Sequence, residues 1–259
     1  MSRLLATSIA HTPASQRRGL APYAGNPVTN RLLAALLASE YKRLLPQLEH
    51  VQLKRGALVY RADQKIEHVY FPEDAVVAMV DSMDDGRTVE VGIIGREGLV
   101  GINIFLGGIV TPDKSIVQLA GGAMQMQAKD LRKQLRFGSP LQRVLLAYAR
   151  TFLAVISQSV ACSQHHNIEQ RLPRLLLTMH DHAGSGEFLM VQQSMATLLG
   201  VRRAGVTQSA QELQAANLIS YHRGCISVLD KARLTKKSCE CYRFIRQQYK
   251  RLHEELPRL

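Results

Sequence analysis

Three polar side chains recur at helical spacing in the C-terminal third of the chain. They are Arg203, Thr207 and Gln211, with Gln208 beside them and Arg202 just ahead. Residues three and four apart share one face of a helix, so these groups form a single polar stripe. Their chemistry is that of base-edge recognition: Arg can donate two parallel bonds to guanine, Gln can pair with adenine, and Thr serves either. A little further on, His222-Arg223-Gly224 separates two β-prone runs, 218–221 and 225–228. That places a cation at the tip of a small hairpin, where a phosphate could be met. A pair of arginines on a helix is also the ordinary composition of a solvated face, so the neighbouring elements must decide.

Those elements form a consistent unit. Val191, Met195, Leu198 and Leu199 have helical spacing, Gly200-Val201 breaks the pattern, and a second helix over 202–215 carries Val206, Ala210 and Leu213 on its inner face. Two short helices joined by a tight Gly-containing turn are a helix-turn-helix, and the hairpin behind them is its wing. Upstream, Asn167 and Gln170 make a capping box for a helix over 168–182, with Pro173 awkwardly inside it. A hinge is expected at 163–167.

Before the hinge the period is different. Leu141, Leu145, Tyr148, Phe152, Val155, Ser159 and Cys162 follow a 4-3 spacing for three heptads. Such a stripe serves either a helix packed on its own domain or a two-stranded coiled coil between identical chains. The second is the expectation, and these residues are the expected dimer seam. Earlier still, short apolar runs from Val51 to Met126 end at turn residues, including Asp84-Asp85-Gly86, as in an antiparallel sandwich or roll. A leucine-rich segment over 30–48, ending near Pro46, reads as one helix.

Composition sets the frame. The chain has 259 residues, 46% of them hydrophobic, and a net charge of +12, which favours a polyanionic partner. About half of the positive excess lies beyond residue 162, so charge alone does not point to one end. Four cysteines and no Cys-x2-Cys spacing argue against a disulfide framework. No unbroken run of eighteen apolar residues occurs, so no membrane span is expected. Residues 1–29 read as a loose tail and not as a signal peptide. Together these features imply a cytoplasmic protein. No nucleophile elbow, P-loop, HExxH or paired carboxylates suggest an enzyme.

The motifs Arg171-Leu172-x-x-Leu175-Leu176, Gln192-Gln193-x-Met195-Ala196-x-x-Leu199-Gly200-Val201-x-Arg203, Val206, Leu213 and Asn217-Leu218-Ile219 resemble, in order and spacing, the DNA-binding domain of the Crp–Fnr family. The resemblance extends upstream over about 230 residues in all. It implies an α+β chain with an antiparallel β-roll of the cyclic-nucleotide-binding kind, a long dimerisation helix and a C-terminal winged helix-turn-helix. The corresponding segments are a tail at 1–29, a roll with flanking helix at 30–138, the dimerisation helix and hinge at 139–166, the DNA-binding domain at 167–240 and a helical tail at 241–259. The resemblance also implies a homodimer that reads double-stranded DNA at a near-palindromic site, with RNA polymerase as a partner and no membrane association. On it, Arg202, Arg203, Thr207, Gln208, Gln211 and Arg223 are the DNA-contacting residues. Two departures touch the reading end. Val191 stands where Ser or Thr usually caps the first helix, and Ala204 follows Arg203 where an acid is common.

Cyclic-nucleotide members of the family hold the ribose with a Gly-Glu pair and the phosphate with an Arg before Ser or Thr. The matching positions here are Gly101, Ile102 and Asn103, then Lys114 and Ser115. Ile102 cannot bond a ribose, and Lys114 lacks the guanidinium fork. The intervening loop, 107–113, is long. This pocket has either changed its ligand or become core, and the residues specify no effector. The iron–sulfur branch uses N-terminal cysteines, and none precede Cys162. His165 and His166 beside Cys162 read as solvated or capping groups, and Cys239-x-Cys241 as idle thiols. No cofactor and no metal are therefore expected. A regulatory subunit that acts on a protein partner without touching DNA remains the competing function.

Overall fold

The computed structural model describes residues 28–258 apart from Asp85 and Ser185. Nearly all of the tail expected at 1–29, and part of the Asp84-Asp85-Gly86 turn, thus lie outside the described residues. The leucine-rich segment is not one helix. It forms α1 (Arg31–Ala34), α2 (Ala38–Leu44) and a 3-10 turn at Leu45–Gln47 that contains Pro46. Asn30 pins its start. The Asn30 side-chain oxygen accepts from the N–H groups of Leu32 and Leu33, and its amide donates to the carbonyls of Pro72 and Gly98. The chain turns between α1 and α2, leaving Leu37 exposed while Leu32, Leu33, Leu36 and Leu44 enter the core.

Nine strands follow: β1 (Glu49–Leu53), β2 (Leu58–Tyr60), β3 (Gln64–Lys65), β4 (His68–Pro72), β5 (Val76–Ser82), β6 (Thr88–Ile94), β7 (Val110–Thr111), β8 (Lys114–Leu119) and β9 (Gly121–Gln127). They pair antiparallel as β1-β9-β4, β2-β8-β5-β6 and β3-β7. This is the β-roll. Helix α3 (Ala128–Gln134) closes it. Strand β5 is buried on both faces. Val77 and Met79 point into the roll, whereas Val76, Ala78 and Val80 belong to a second core shared with the C-terminal domain. Side chains alternate along a strand, so one strand can serve two cores only if both faces are covered.

Helix α4 (Pro140–His165) leaves the roll, N-capped by Ser139 with Pro140 in its first turn. The expected seam is corrected here. Leu141, Leu145, Tyr148, Phe152, Val155, Ser159 and Cys162 are all buried within the single chain. The Tyr148 and Phe152 rings stack at 5.5 Å, and Phe152 lies against Gly92 of β6, where an added Cβ would sit 3.0 Å from its ring. The other side of this face is covered by α9 (Cys241–Glu255). That helix carries its own stripe of Tyr242, Ile245, Tyr249 and Leu252, and runs antiparallel to α4, with Glu255 paired to Arg150 and Cys241 beside Gln158. The segment expected as a helical tail is thus a packed element, with Leu252 and Leu256 in the roll's core and Tyr242 in the second.

The face of α4 that remains outside carries Leu146, Leu153 and Val160, which are 61%, 60% and 58% exposed and lie seven residues apart. Helix α4 is long and apolar enough to cross a membrane by length and composition, although it contains no unbroken apolar run of eighteen. Half of that apolar window is buried inside the chain. The same length and apolarity describe a core helix.

The C-terminal unit begins with α5 (Ile168–Ala183). Asn167 and Gln170 form the capping box at its start, and the helix continues through Pro173. Then come β10 (Glu187–Leu189), α6 (Gln192–Leu199), α7 (Arg203–Ala215), β11 (Ile219–His222), β12 (Cys225–Val228) and α8 (Lys231–Lys237). The strands pair β10-β12-β11. The architecture is α+β: an antiparallel β-roll, a long helix at the domain junction and a winged helix-turn-helix.

Two neighbouring substitutions separate the faces of α4. Phe152→Ala should cost about 3–5 kcal/mol of unfolding free energy, as for a fully buried aromatic. Leu153→Ala should stay within about 0.5 kcal/mol in the monomer. Urea unfolding at low protein concentration checks both, and similar costs for the two would mean that the faces are assigned wrongly.

Candidate nucleic-acid interface

The reading helix α7 is positioned from three sides. Gly200, at φ +63, ends α6 in the left-handed conformation, and its N–H bonds the carbonyls of Ala196 and Thr197. An added Cβ there would meet the Thr88 carbonyl at 3.2 Å, so the turn rests directly on β6. Arg171 of α5 donates to the Leu199 carbonyl at 2.6 Å and holds the end of α6. Gln214 accepts from the Tyr221 N–H at 2.7 Å and fixes the angle between α7 and the wing. Asn217, at φ 55, makes the left-handed step between α7 and β11 that Asn tolerates best among non-glycine residues. Beneath them Val206, Ala210 and Leu213 fill the second core, as the spacing predicts.

On the outer face Arg203, Gln208 and Gln211 are exposed and Thr207 is half-buried, while Arg202 sits at the N-cap. The structure thus brings all five together at the N-terminal end and outer face of α7. Gln192, at the start of α6, organises them. Its Oε1 accepts from the Thr207 hydroxyl at 2.8 Å and from Arg203 Nε at 3.4 Å. Gln208 donates to Glu212 at 3.2 Å. Sequence reasoning assigned neither Gln192 nor Glu212 a place in the interface. Glu212 lies four residues beyond Gln208, a spacing that could have been read, whereas Gln192 lies on another helix. Val191 occupies the N-cap of α6 and makes no side-chain cap, as expected.

The wing is a two-residue hairpin. His222 pairs with Cys225, and Arg223 and Gly224 both have positive φ, at 49 and 84. Two successive positive φ values are the geometry that matches the twist of paired strands. Arg223 is exposed at the tip.

The residues expected at a ligand pocket lie in the roll. Gly101, at φ 93, precedes a 3-10 turn at Ile102–Ile104, and Ile102 is buried in the roll's core. An added Cβ at Gly101 would meet the Tyr60 hydroxyl at 2.6 Å. Asn103 donates to the Val110 carbonyl, which ties down the long loop. Ser115 is buried, and Lys114 donates to the Ser82 hydroxyl at 3.0 Å. Beside Lys114, partial burial and the Asp81 carboxylate raise the pKa of Asp113. An anion here would meet a lysine already engaged and two acids.

A cavity of about 570 Å³ opens among β6, α5 and α9. Two ion pairs contribute to its lining. Arg174 pairs with Glu90 at 3.3 Å, both side chains being buried. Burial opposes ionisation of Glu97, yet the His182 ring at 3.2 Å outweighs it and holds the carboxyl down to about 2.

One further grouping was absent from the sequence expectations. Cys162, His166, Cys239 and Cys241, read separately as a seam residue, a solvated or capping group and two idle thiols, lie together, with their ligand atoms within 4.8 Å of one another.

Comparison with known proteins agrees with this geometry. Residues 170–237 match the model of the Crp-like helix-turn-helix domain. No curated protein matches the chain. Among solved structures, the chain is similar to FixK2 from Bradyrhizobium japonicum, with a TM-score of 0.64 at 16% identity, over 74% of this chain and 98% of that one. It is similar to a CRP-family transcriptional regulator from Thermus thermophilus, with a TM-score of 0.59 at 17% identity, over 73% and 96% of the two chains. It also resembles the c-di-GMP-responsive global regulator CLP from Xanthomonas campestris, with a TM-score of 0.58 at 16% identity, over 75% and 100%. Residues 170–237 thus form a Crp-like helix-turn-helix domain, on a chain that shares the fold of Crp–Fnr transcription regulators.

Proposed function

We propose that the chain reads a near-palindromic DNA site as a homodimer, without cyclic AMP as its switch. The observation that carries this is the exposed face of α7, where Gln192 holds Arg203 and Thr207 in place beside Gln208 and Gln211. Arg203 is the group suited to a bidentate bond with guanine. Arg223, at the wing tip, is suited to a phosphate. Ala204 offers no acceptor for a cytosine amino group, so the preferred half-site differs from that of relatives with an acid there. Such a regulator works in the cytoplasm, with RNA polymerase as a further partner.

The dimer surface follows from the correction to α4. The seam of Leu141, Leu145, Tyr148, Phe152, Val155, Ser159 and Cys162 is spent on the chain's own core. The exposed stripe of Leu146, Leu153 and Val160 has the heptad repeat a second α4 would meet. Arg150 lies within this stripe but is engaged by Glu255. A two-fold dimer through this stripe places two α7 helices for successive turns of one DNA face.

Three measurements test these readings. Arg203→Ala should cost about 1–3 kcal/mol and relax preference at one base pair per half-site. Arg223→Ala should weaken all sequences evenly and lower the salt slope by about one. Half-sites recovered from genomic fragments should lie about 10–10.5 bp apart. Protein that retains no fragment would favour the competing function, a regulatory subunit acting on a protein partner.

In sedimentation, Leu153→Glu should yield folded monomers, because a buried unpaired charge is costly. Phe152→Glu should instead disrupt the fold. A Leu153→Glu protein that stays dimeric would rule out this surface.

Calorimetry with cyclic AMP should show binding weaker by about two to four powers of ten than in a protein with the carboxylate and arginine, at about 1.4 kcal/mol per tenfold. DNA titrations with and without the nucleotide should then coincide. Micromolar cyclic AMP affinity with a large gain in DNA affinity would overturn the assignment of the cassette positions.

A further inference from the structure

Cys162 lies in the last turn of α4 and His166 is its C-cap residue. Cys239 lies between α8 and α9, and Cys241 is the first residue of α9. More than seventy residues separate the two pairs in sequence, yet Cys162 Sγ stands 3.6 Å from Cys239 Sγ, and His166 Nδ1 stands 3.6 Å from Cys241 Sγ. We propose that these four side chains form a tetrahedral Cys3His site for one zinc ion.

The distances fit a single ion. With Zn–S near 2.3 Å and Zn–N near 2.0–2.1 Å, the edges of a tetrahedron are about 3.5–3.8 Å long. Two edges already have that length, and every pair of ligand atoms falls within 4.8 Å. The thiols are free and are not at bonding distance for a disulfide. Sulfur and imidazole donors select zinc over the hard cations that oxygen ligands hold. All three sulfurs are buried, and four protein ligands leave no open position, so the site is structural and not catalytic.

The surroundings are those of a ligand set. His166 Nε2 lies 3.2 Å from the Glu240 carboxylate. A proton held there leaves Nδ1 as the lone pair facing the sulfurs, the usual arrangement of a metal-bound histidine. Gln158 Nε2 donates to Cys241 Sγ at 3.0 Å, a bond that favours a thiolate. Three thiolates and one divalent ion leave a net negative charge, and the buried Arg174 guanidinium lies within electrostatic reach of all three sulfurs.

The position of the site gives it a mechanical role. It ties the end of α4 and the 163–167 hinge to the start of α9, so it holds the DNA-binding unit at one angle to the long helix. Zinc bound here and not in the unfolded chain stabilises the fold by mass action.

The full-length protein, purified under reducing conditions without chelator, should contain about one zinc per chain by elemental mass spectrometry. After zinc is removed, one equivalent of Co2+ should produce the visible absorption of a tetrahedral thiolate site, and Zn2+ should displace it. Cys239→Ser and His166→Ala should each lower zinc content and metal-dependent gain in Tm, while Cys225→Ser, which alters the remaining cysteine, should retain both. If a variant fails to fold, the cobalt titration of the wild-type chain still decides. Reduced wild-type protein that takes up neither ion, or that keeps full zinc in folded Cys239→Ser, overturns the site. None of these readouts uses DNA, so failure of DNA binding and failure of the metal site are distinguishable.

Discussion

Both faces of β5 are apolar, and both must be covered. Val77 and Met79 are covered by the roll itself, and Val76, Ala78 and Val80 need a second layer. The winged helix-turn-helix supplies it, with Leu172, Leu175, Leu176 and Met179 of α5 in the same core. At its margin Arg174 reaches Glu90 of β6, so a buried ion pair marks the junction. Replacing one partner of such a pair leaves the other charged and dry, which is strongly destabilising. The reading helix takes its orientation from this contact, because the Gly200 turn rests on β6 and Arg171 holds the end of α6.

Helix α4 has to satisfy three demands around its circumference. One side packs on the roll through Tyr148 and Phe152, another pairs with α9, and the third faces outward with Leu146, Leu153 and Val160. An α-helix has only 3.6 residues per turn, so a 26-residue helix serving three surfaces is apolar over most of its length. This explains why it has the composition of a membrane span while sitting in a domain junction. It also explains how α9 matters: without its stripe the 4-3 face of α4 would be open and free to seek another copy.

The reading face and the roll interior contrast in how their polar groups are used. On α7 the polar atoms are held by neighbours that leave donors and acceptors outward, with Gln192 bracing Arg203 and Thr207. In the roll, the residues expected at a ligand pocket are engaged internally, with Ile102 in the core and Lys114 on Ser82. Preorganised outward groups lower the ordering cost of binding. Groups already satisfied within the fold must first be released, which adds to that cost.

Local pattern was sufficient for much of this protein. The 3.6 spacing of Val206, Ala210 and Leu213 placed α7 and left Arg203, Thr207 and Gln211 outward; the Asn167–Gln170 box started α5; Gly200 and Arg223-Gly224 marked the turn and the wing. These features depend on residues close in sequence, so the sequence determines them by itself. What it could not decide was which partner each surface meets. The stripe from Leu141 to Cys162 is equally suited to a second chain or to α9, and only folding brings residues 150 and 255 together. The start of α1 is pinned by Asn30 reaching Pro72 and Gly98, far away in sequence. The three thiols and one imidazole at 162, 166, 239 and 241 have no recognisable spacing in sequence, because half of the set arrives from the junction of α8 and α9. Periodicity reports that a face is apolar or that a ligand is present. The identity of the neighbour is a long-range fact, and only the tertiary structure decided it.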